Sequence, residues 1–125
     1  MIKDKKKIMI IGSTEFQNEI ECAKRALELE GHWVVTPCFN DKDKELRDGT
    51  EYYICNANRF AMENADEVHV YWNGRSTGTI FDLGMAFALR KKVVVKYLGK
   101  KSFANFVEQL EEKQNEGMEI VNENV

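Results

Sequence analysis

The sequence predicts an α/β chain built on a parallel sheet of about five strands with helices on both faces. Three observations carry that prediction. Short apolar runs with many β-branched residues recur along the chain. Longer segments with helical apolar spacing separate them. Glycine- and hydroxyl-rich stretches follow the first and third runs, where strand gives way to helix. Strands read as continuous apolar runs when both faces are buried, which is the habit of parallel sheets. Strand–helix alternation is the signature of a layered α/β chain.

Lys7-Ile8-Met9-Ile10-Ile11 is the first strand, ended by Gly12-Ser13-Thr14. Thr14 and Gln17 have capping-box spacing, so a helix follows, with Ile20, Ala23, Ala26 and Leu27 inward and Gly31 as its stop. His32–Thr36 is the second strand, closed by Pro37. Residues 38–49 are polar and charged and read as a loop. Thr50 opens the second helix, with Ile54, Ala57, Ala61 and Ala65 at helical spacing. Val68–Trp72 is the third strand and Asn73–Gly78 a turn-rich loop. Ile80, Leu83, Ala86, Phe87 and Leu89 mark the third helix, and Val93-Val94-Val95 the fourth strand. Phe103, Phe106, Val107 and Leu110 mark a fourth helix, and Met118–Val121 a fifth strand.

Length and composition set the bounds. The 125 residues fit one domain, expected over residues 1–125. Hydrophobic residues make up 43% and charged residues 31%, as in ordinary water-soluble chains. The net charge of -3 gives no general attraction to nucleic-acid polymers. Lys5-Lys6-Lys7 reads as a solvated strand entrance. No apolar run approaches the ~18 residues that a membrane span needs, so no membrane role and a cytoplasmic location are expected. Three widely spaced cysteines, Cys22, Cys38 and Cys55, form neither a disulfide framework nor a metal-ligand spacing. Cys22 and Cys55 fall in helical patterns and read as small core residues. His32 and His69 sit in strand patterns, so neither a metal nor a cofactor is expected.

Ligands of open parallel sheets bind beyond the carboxyl ends of the strands, where strand order reverses. Two loops there carry useful chemistry. Gly12-Ser13-Thr14 opens a helix whose first backbone N–H groups can meet an anion. Its other reading is an ordinary helix cap, and it holds no dinucleotide fingerprint or Walker lysine. Asn73–Thr79 offers an amide, Arg75, Ser76, Thr77, Thr79 and two glycines, Gly74 and Gly78, a composition suited to a sugar or phosphate. Its other reading is a turn plus a cap, with Thr79 and Asp82 at capping-box spacing. Asp82 is a carboxylate flanked by Ile80, Phe81 and Leu83. Facing a cleft, it can act as a nucleophile or base. Asp66 and Glu67 lie at the far end of the third strand, so a second acid is not evident.

The segment from Ala65-Asp66-Glu67-Val68, through Gly78-Thr79-Ile80-Phe81-Asp82-Leu83-Gly84-Met85-Ala86-Phe87-Ala88-Leu89, to Val93-Val94-Val95 resembles the nucleoside 2-deoxyribosyltransferase superfamily. Members carry Ala-Asp-x-Val-Val at the third strand, then a polar loop. Gly-Thr-x-x-Glu-(Leu/Ile)-Gly-x-Ala-x-Ala-Leu follows. The specific motif covers about 20 residues, and the topological likeness most of the chain. The resemblance implies a flavodoxin-like three-layer sandwich with strand order 2-1-3-4-5. It implies a nucleoside or nucleotide ligand and no cofactor. It implies that Asp82, in the place of the family glutamate, attacks the anomeric carbon. Gly12, Ser13, Asn73, Ser76, Gly78 and Thr79 would then surround sugar and phosphate. It also implies a homodimer or higher homo-oligomer, in which a neighbour completes each site.

Two departures bear on activity. Asp82 is one methylene shorter than glutamate, and attack geometry is intolerant of errors of about 1 Å. Asn73 stands where family transferases often carry an aspartate. The expectation is therefore cleavage or transfer at an N-glycosidic bond. A non-catalytic nucleotide-binding or sensing module of the same fold is the alternative. A third reading, a flavin phosphate at the first loop, meets a loop too short for the usual phosphate cradle.

Overall fold

A computed structural model describes residues 4–37, 50–99 and 104–115. The elements in order are β1 (Lys7–Gly12), a single turn of 3-10 helix (Thr14–Phe16), α1 (Gln17–Leu29), β2 (Trp33–Val35), α2 (Thr50–Glu63), β3 (Glu67–Trp72), α3 (Thr77–Ala88), β4 (Lys92–Leu98) and α4 (Ala104–Asn115). Among the described residues the sheet has four strands, ordered β2-β1-β3-β4, and every pairing is parallel. The strand expected at Met118–Val121 and the loop at 38–49, with Cys38, lie outside the described residues.

Alternation along β1 assigns the layers, because successive strand residues point to opposite faces. Ile8 and Ile10 point to one face and pack with Phe16 and Ile20 under α1. Met9 and Ile11 point to the other and join Met62, Val68, Val70, Leu83, Ala86, Val93, Val107 and Leu110. Helices α2, α3 and α4 therefore cover that second face. Ile10, Val68, Val70 and Val93 are fully buried. Each such side chain is worth about 1.5–3 kcal/mol of transfer free energy.

Three local readings are corrected. The capping box of Thr14 and Gln17 does not form. The 3-10 turn intervenes, Gln17 becomes the first residue of α1, and its amide reaches Glu21 instead. Cys22 is exposed on α1 and Cys55 only partly covered, so neither fills the core. Of the inward positions expected for α2, Ala61 packs against the core and Ala65 is buried, but the earlier ones do not reach it. Met62 is buried, whereas Ile54 is 40% exposed, because only the last turns of α2 lie on the sheet. Gly31 does end α1, in the left-handed conformation with φ 103°.

The α1 face also carries polar side chains on β3. His69 Nε2 lies 2.9 Å from Glu67 Oε1, and Lys6 Nζ lies 2.7 Å from Glu67 Oε2. Burial alone would raise the Glu67 pKa. Hydrogen bonds from His69 and Lys6, and the charges of Lys6 and Lys92, outweigh it and hold the group at about 2. An ionised carboxylate only accepts, so His69 donates from Nε2. Burial lowers the His69 pKa despite Glu67. Both groups then bind protons less readily folded than unfolded. Their contribution is present above the unfolded values and is lost as pH falls, first through the histidine range and then from about 4.5 toward 2. Glu67→Gln is expected to lower stability at pH 7 by on the order of 1 kcal/mol once solvent screening is allowed for. It is also expected to flatten the acid limb of a melting-temperature profile between pH 5 and 2; an unchanged limb would show that this cluster does not govern acid stability.

Candidate functional site

The carboxyl ends of β1 and β3 meet at the point where strand order reverses, between β2-β1 and β3-β4. Gly12 ends β1 there. A Cβ on Gly12 would lie 2.8 Å from both the Tyr71 carbonyl oxygen and Ile20 Cδ1. Close packing of β1 on β3 and α1 thus accounts for this glycine by itself. Ser13 is buried, and its hydroxyl turns across the sheet to accept from the Asn73 backbone N–H at 3.2 Å. Its own N–H donates to the Tyr71 carbonyl. Ser13 therefore ties the first loop to the third.

Asn73 organises the loop that follows β3. Its Oδ1 accepts from the N–H groups of Arg75 and Ser76 at 2.8 and 2.9 Å, and its Nδ2 donates to Glu15 at 3.3 Å. Gly74 takes φ 87°, a conformation that suits glycine. The Trp72 indole N–H donates to the Ser76 carbonyl. Gly99 supports the loop from β4: a Cβ there would lie 2.3 Å from the Asn73 carbonyl oxygen. Glu15 escaped the sequence reading. It lies at the rim, 3.6 Å from Arg75 Nη2, as well as on Asn73. Its position just past Gly12, in a loop already singled out, was the available signal.

The cap of α3 differs from the expected one. Helix α3 starts at Thr77, and Ser76 is its N-cap, accepting from the Thr79 N–H and pairing with the Thr79 hydroxyl at 3.0 Å. Asp82 lies in the second turn and caps nothing. Among the described residues it makes no hydrogen bond or ion pair. Burial pushes its pKa up to about 6.

Helical geometry places Gly78, Phe81, Asp82 and Met85 along one side of α3, next to the buried stripe of Thr79, Leu83 and Ala86. A Cβ on Gly78 would meet nothing within 4 Å, so that side opens on free space at its amino end. Phe81 and Met85 also line a crevice of about 200 Å³ shared with Tyr52, Cys55, Asn56 and Arg59 of α2. A larger cavity of about 450 Å³ lies at the other end of α2, against the start of β1, and is lined mainly by apolar groups such as Met9, Trp33, Val35 and Phe60. It holds none of the residues singled out in the sequence.

The structure thus brings Gly12, Ser13, Asn73, Ser76 and Thr79 into one hydrogen-bonded or packed assembly at the carboxyl end of the sheet. Gly78 and Asp82 lie on the adjoining side of α3. The hydroxyls and the Asn73 amide bond to the protein, whereas the Asp82 carboxylate has no partner among the described residues.

No family model matches the chain, and no curated protein matches it. Among solved structures it is similar to the CMP N-glycosidase BcmB of Clostridium botulinum. Identity is 20%, the TM-score is 0.54, and the match covers 82% of this chain and 79% of that one. The likeness is one of fold: a parallel sheet in the order 2-1-3-4 flanked by helices, consistent with a flavodoxin-like arrangement.

A desolvated carboxylate without a partner should burden the fold when ionised. The folded pKa of Asp82 is raised from 3.8 to about 6, so its stabilising share is complete below about 4 and is lost as pH rises through 6. Asp82→Asn is expected to raise stability at pH 8 by about 1–3 kcal/mol and to change little at pH 4. Melting curves at the two pH values check this; a variant less stable at pH 8 would show that the carboxylate has a stabilising partner.

Proposed function

We propose that this chain cleaves the N-glycosidic bond of (deoxy)nucleosides or nucleoside monophosphates, with Asp82 as the nucleophile. The observation that carries this reading is the Asp82 carboxylate itself. It is desolvated, lacks a partner among the described residues, and stands beside open space at Gly78, on a fold shared with a CMP N-glycosidase. A carboxylate so placed attacks the anomeric carbon. The bond to the base nitrogen breaks, its electron pair leaves with the base, and a proton completes the base. Water then hydrolyses the glycosyl ester and restores Asp82. A second base in place of water makes the reaction a transfer.

Gly12, Ser13, Asn73, Ser76, Gly78 and Thr79 form the sugar and phosphate shell in this reading. Ser13, Asn73 and Ser76 act chiefly by fixing the loop against which the sugar sits. The non-catalytic nucleotide-binding reading draws support from the same loop, because its polar groups are already engaged within the protein.

Incubation with nucleosides and their monophosphates, followed by chromatography of free base, separates the two. Base release is expected from the parent chain and a drop of at least ~100-fold in Asp82→Ala, since loss of a nucleophile removes the covalent path. The rate should climb with pH through about 6 and level off above it, because only the ionised carboxylate attacks. Nucleotide binding without base release from either chain would leave only the binding module.

We further propose self-association through the edge of the sheet. Trp33 and Val35 on β2 and Phe60 on α2 are 54%, 48% and 70% exposed around the larger cavity. Apolar surface of this kind, clustered on one face, marks contact sites. Light scattering is expected to give a dimer or larger species for the parent chain and a smaller species for Phe60→Glu. A monomeric parent chain at tens of micromolar would sink the proposal.

A further inference from the structure

The crevice between α2 and α3 has no part in the chemistry above. Its lining is mixed in a way that solvent exposure alone does not call for. Phe81 and Tyr52 supply aromatic faces, and the Tyr52 ring is braced edge-on by Tyr53 at 5.5 Å and 81°. Met85 and Cys55 supply soft apolar surface. Asn56 and Arg59 supply the polar part, and they are coupled: Arg59 Nη2 donates to Asn56 Oδ1 at 2.6 Å. That bond turns the amide oxygen toward Arg59 and leaves a lining in which donors outnumber acceptors. The donors are the Asn56 amide N–H₂ and the other N–H groups of the Arg59 fork.

We propose that this crevice is the nucleobase subsite of the proposed glycosidase and that it selects bases presenting two adjacent hydrogen-bond acceptors. The inference rests on the N-glycosidic reading and deepens it. Phe81 immediately precedes Asp82, and Met85 lies one turn further on the same side of α3. A sugar reached by Asp82 therefore presents its base to this crevice. A flat ring is held by aromatic faces whatever its identity, because every base has a π-face. Discrimination then falls to the donors. The fixed fork of arginine matches a pair of neighbouring acceptors, such as O6 and N7 of guanine or O2 and N3 of cytosine. Adenine places its amino donor beside N1 and beside N7, so it offers the fork no pair of parallel neighbouring acceptors. The site so built disfavours adenine.

Calorimetric titration of the full chain with CMP, GMP and AMP tests this. One of CMP or GMP is expected to bind at least ~10-fold more tightly than AMP, and which of the two does so tells a single-ring from a double-ring occupant. Arg59→Ala should bring the affinities to within about two-fold of each other, and Arg59→Lys should not restore the preference, because lysine is a point charge without a fork. Melting curves of each variant establish that the fold is intact, and Arg59, exposed on α2, can be changed without disturbing the core. Equal affinity of the parent chain for all three nucleotides overturns the proposal, as does a preference that survives in Arg59→Ala. The nucleobase selection and the chemistry fail separately. Selective binding that depends on Arg59 without base release removes the enzyme and leaves the subsite; base release dependent on Asp82, with a preference that Arg59→Ala leaves intact, removes the subsite and leaves the enzyme.

Discussion

Everything at the candidate site depends on the parallel pairing of β1 with β3. The register runs from Ile8 opposite Glu67 to Gly12 opposite Tyr71, so both strands release their chains at the same level. Close approach at that level is possible only because residue 12 carries no side chain to collide with Tyr71 and Ile20. Ser13 then closes the seam with two hydrogen bonds, one to the Tyr71 carbonyl and one from the Asn73 N–H. The loop before α3 inherits its position from that seam, and α3 inherits its start from the loop. The place of Asp82 is thus set by strand pairing several steps earlier in the chain of causes.

That hierarchy explains why the polar residues of the third loop bond to the protein. A loop that must deliver a helix at a fixed height needs its backbone satisfied, and Asn73 and Ser76 do this with local side-chain to backbone bonds. Their chemistry is consumed in construction. Asp82 contrasts with them: nothing among the described residues neutralises or solvates it well. Burial without a partner is what raises its pKa to about 6.

Much of the fold was legible from periodicity. The four described strands and four described helices fall where apolar runs and helical spacing place them, and β4 continues past Val95 to Leu98. Boundaries were less legible where side chains compete for the same backbone groups. Thr14 with Gln17 and Thr79 with Asp82 both have the spacing of a cap, but a 3-10 turn displaced the first and Ser76 pre-empted the second. No local rule distinguishes those outcomes, because they depend on the neighbouring strand. The region at the carboxyl end of the sheet that gathers Gly12, Ser13, Asn73, Ser76 and Thr79 was legible from the loops that follow β1 and β3. Glu15 was missed although its loop had been singled out, because a single glutamate there has no spacing pattern to mark it, and the crevice between α2 and α3 because its walls come from distant parts of the chain.

Gly99 has a consequence for how the cleft can respond to a guest. The loop at Asn73 lies against the end of β4 with no room between them. It is stitched to β1 on its other side, and hence has little freedom to yield. Tyr52 and Arg59, in contrast, stand on the exposed part of α2. The loop is therefore the more constrained of the two segments and the exposed part of α2 the freer. Substitutions on that part of α2 would leave the strand pairing intact, whereas changes at Gly99, Asn73 or Gly12 disturb the pairing that holds the sheet together.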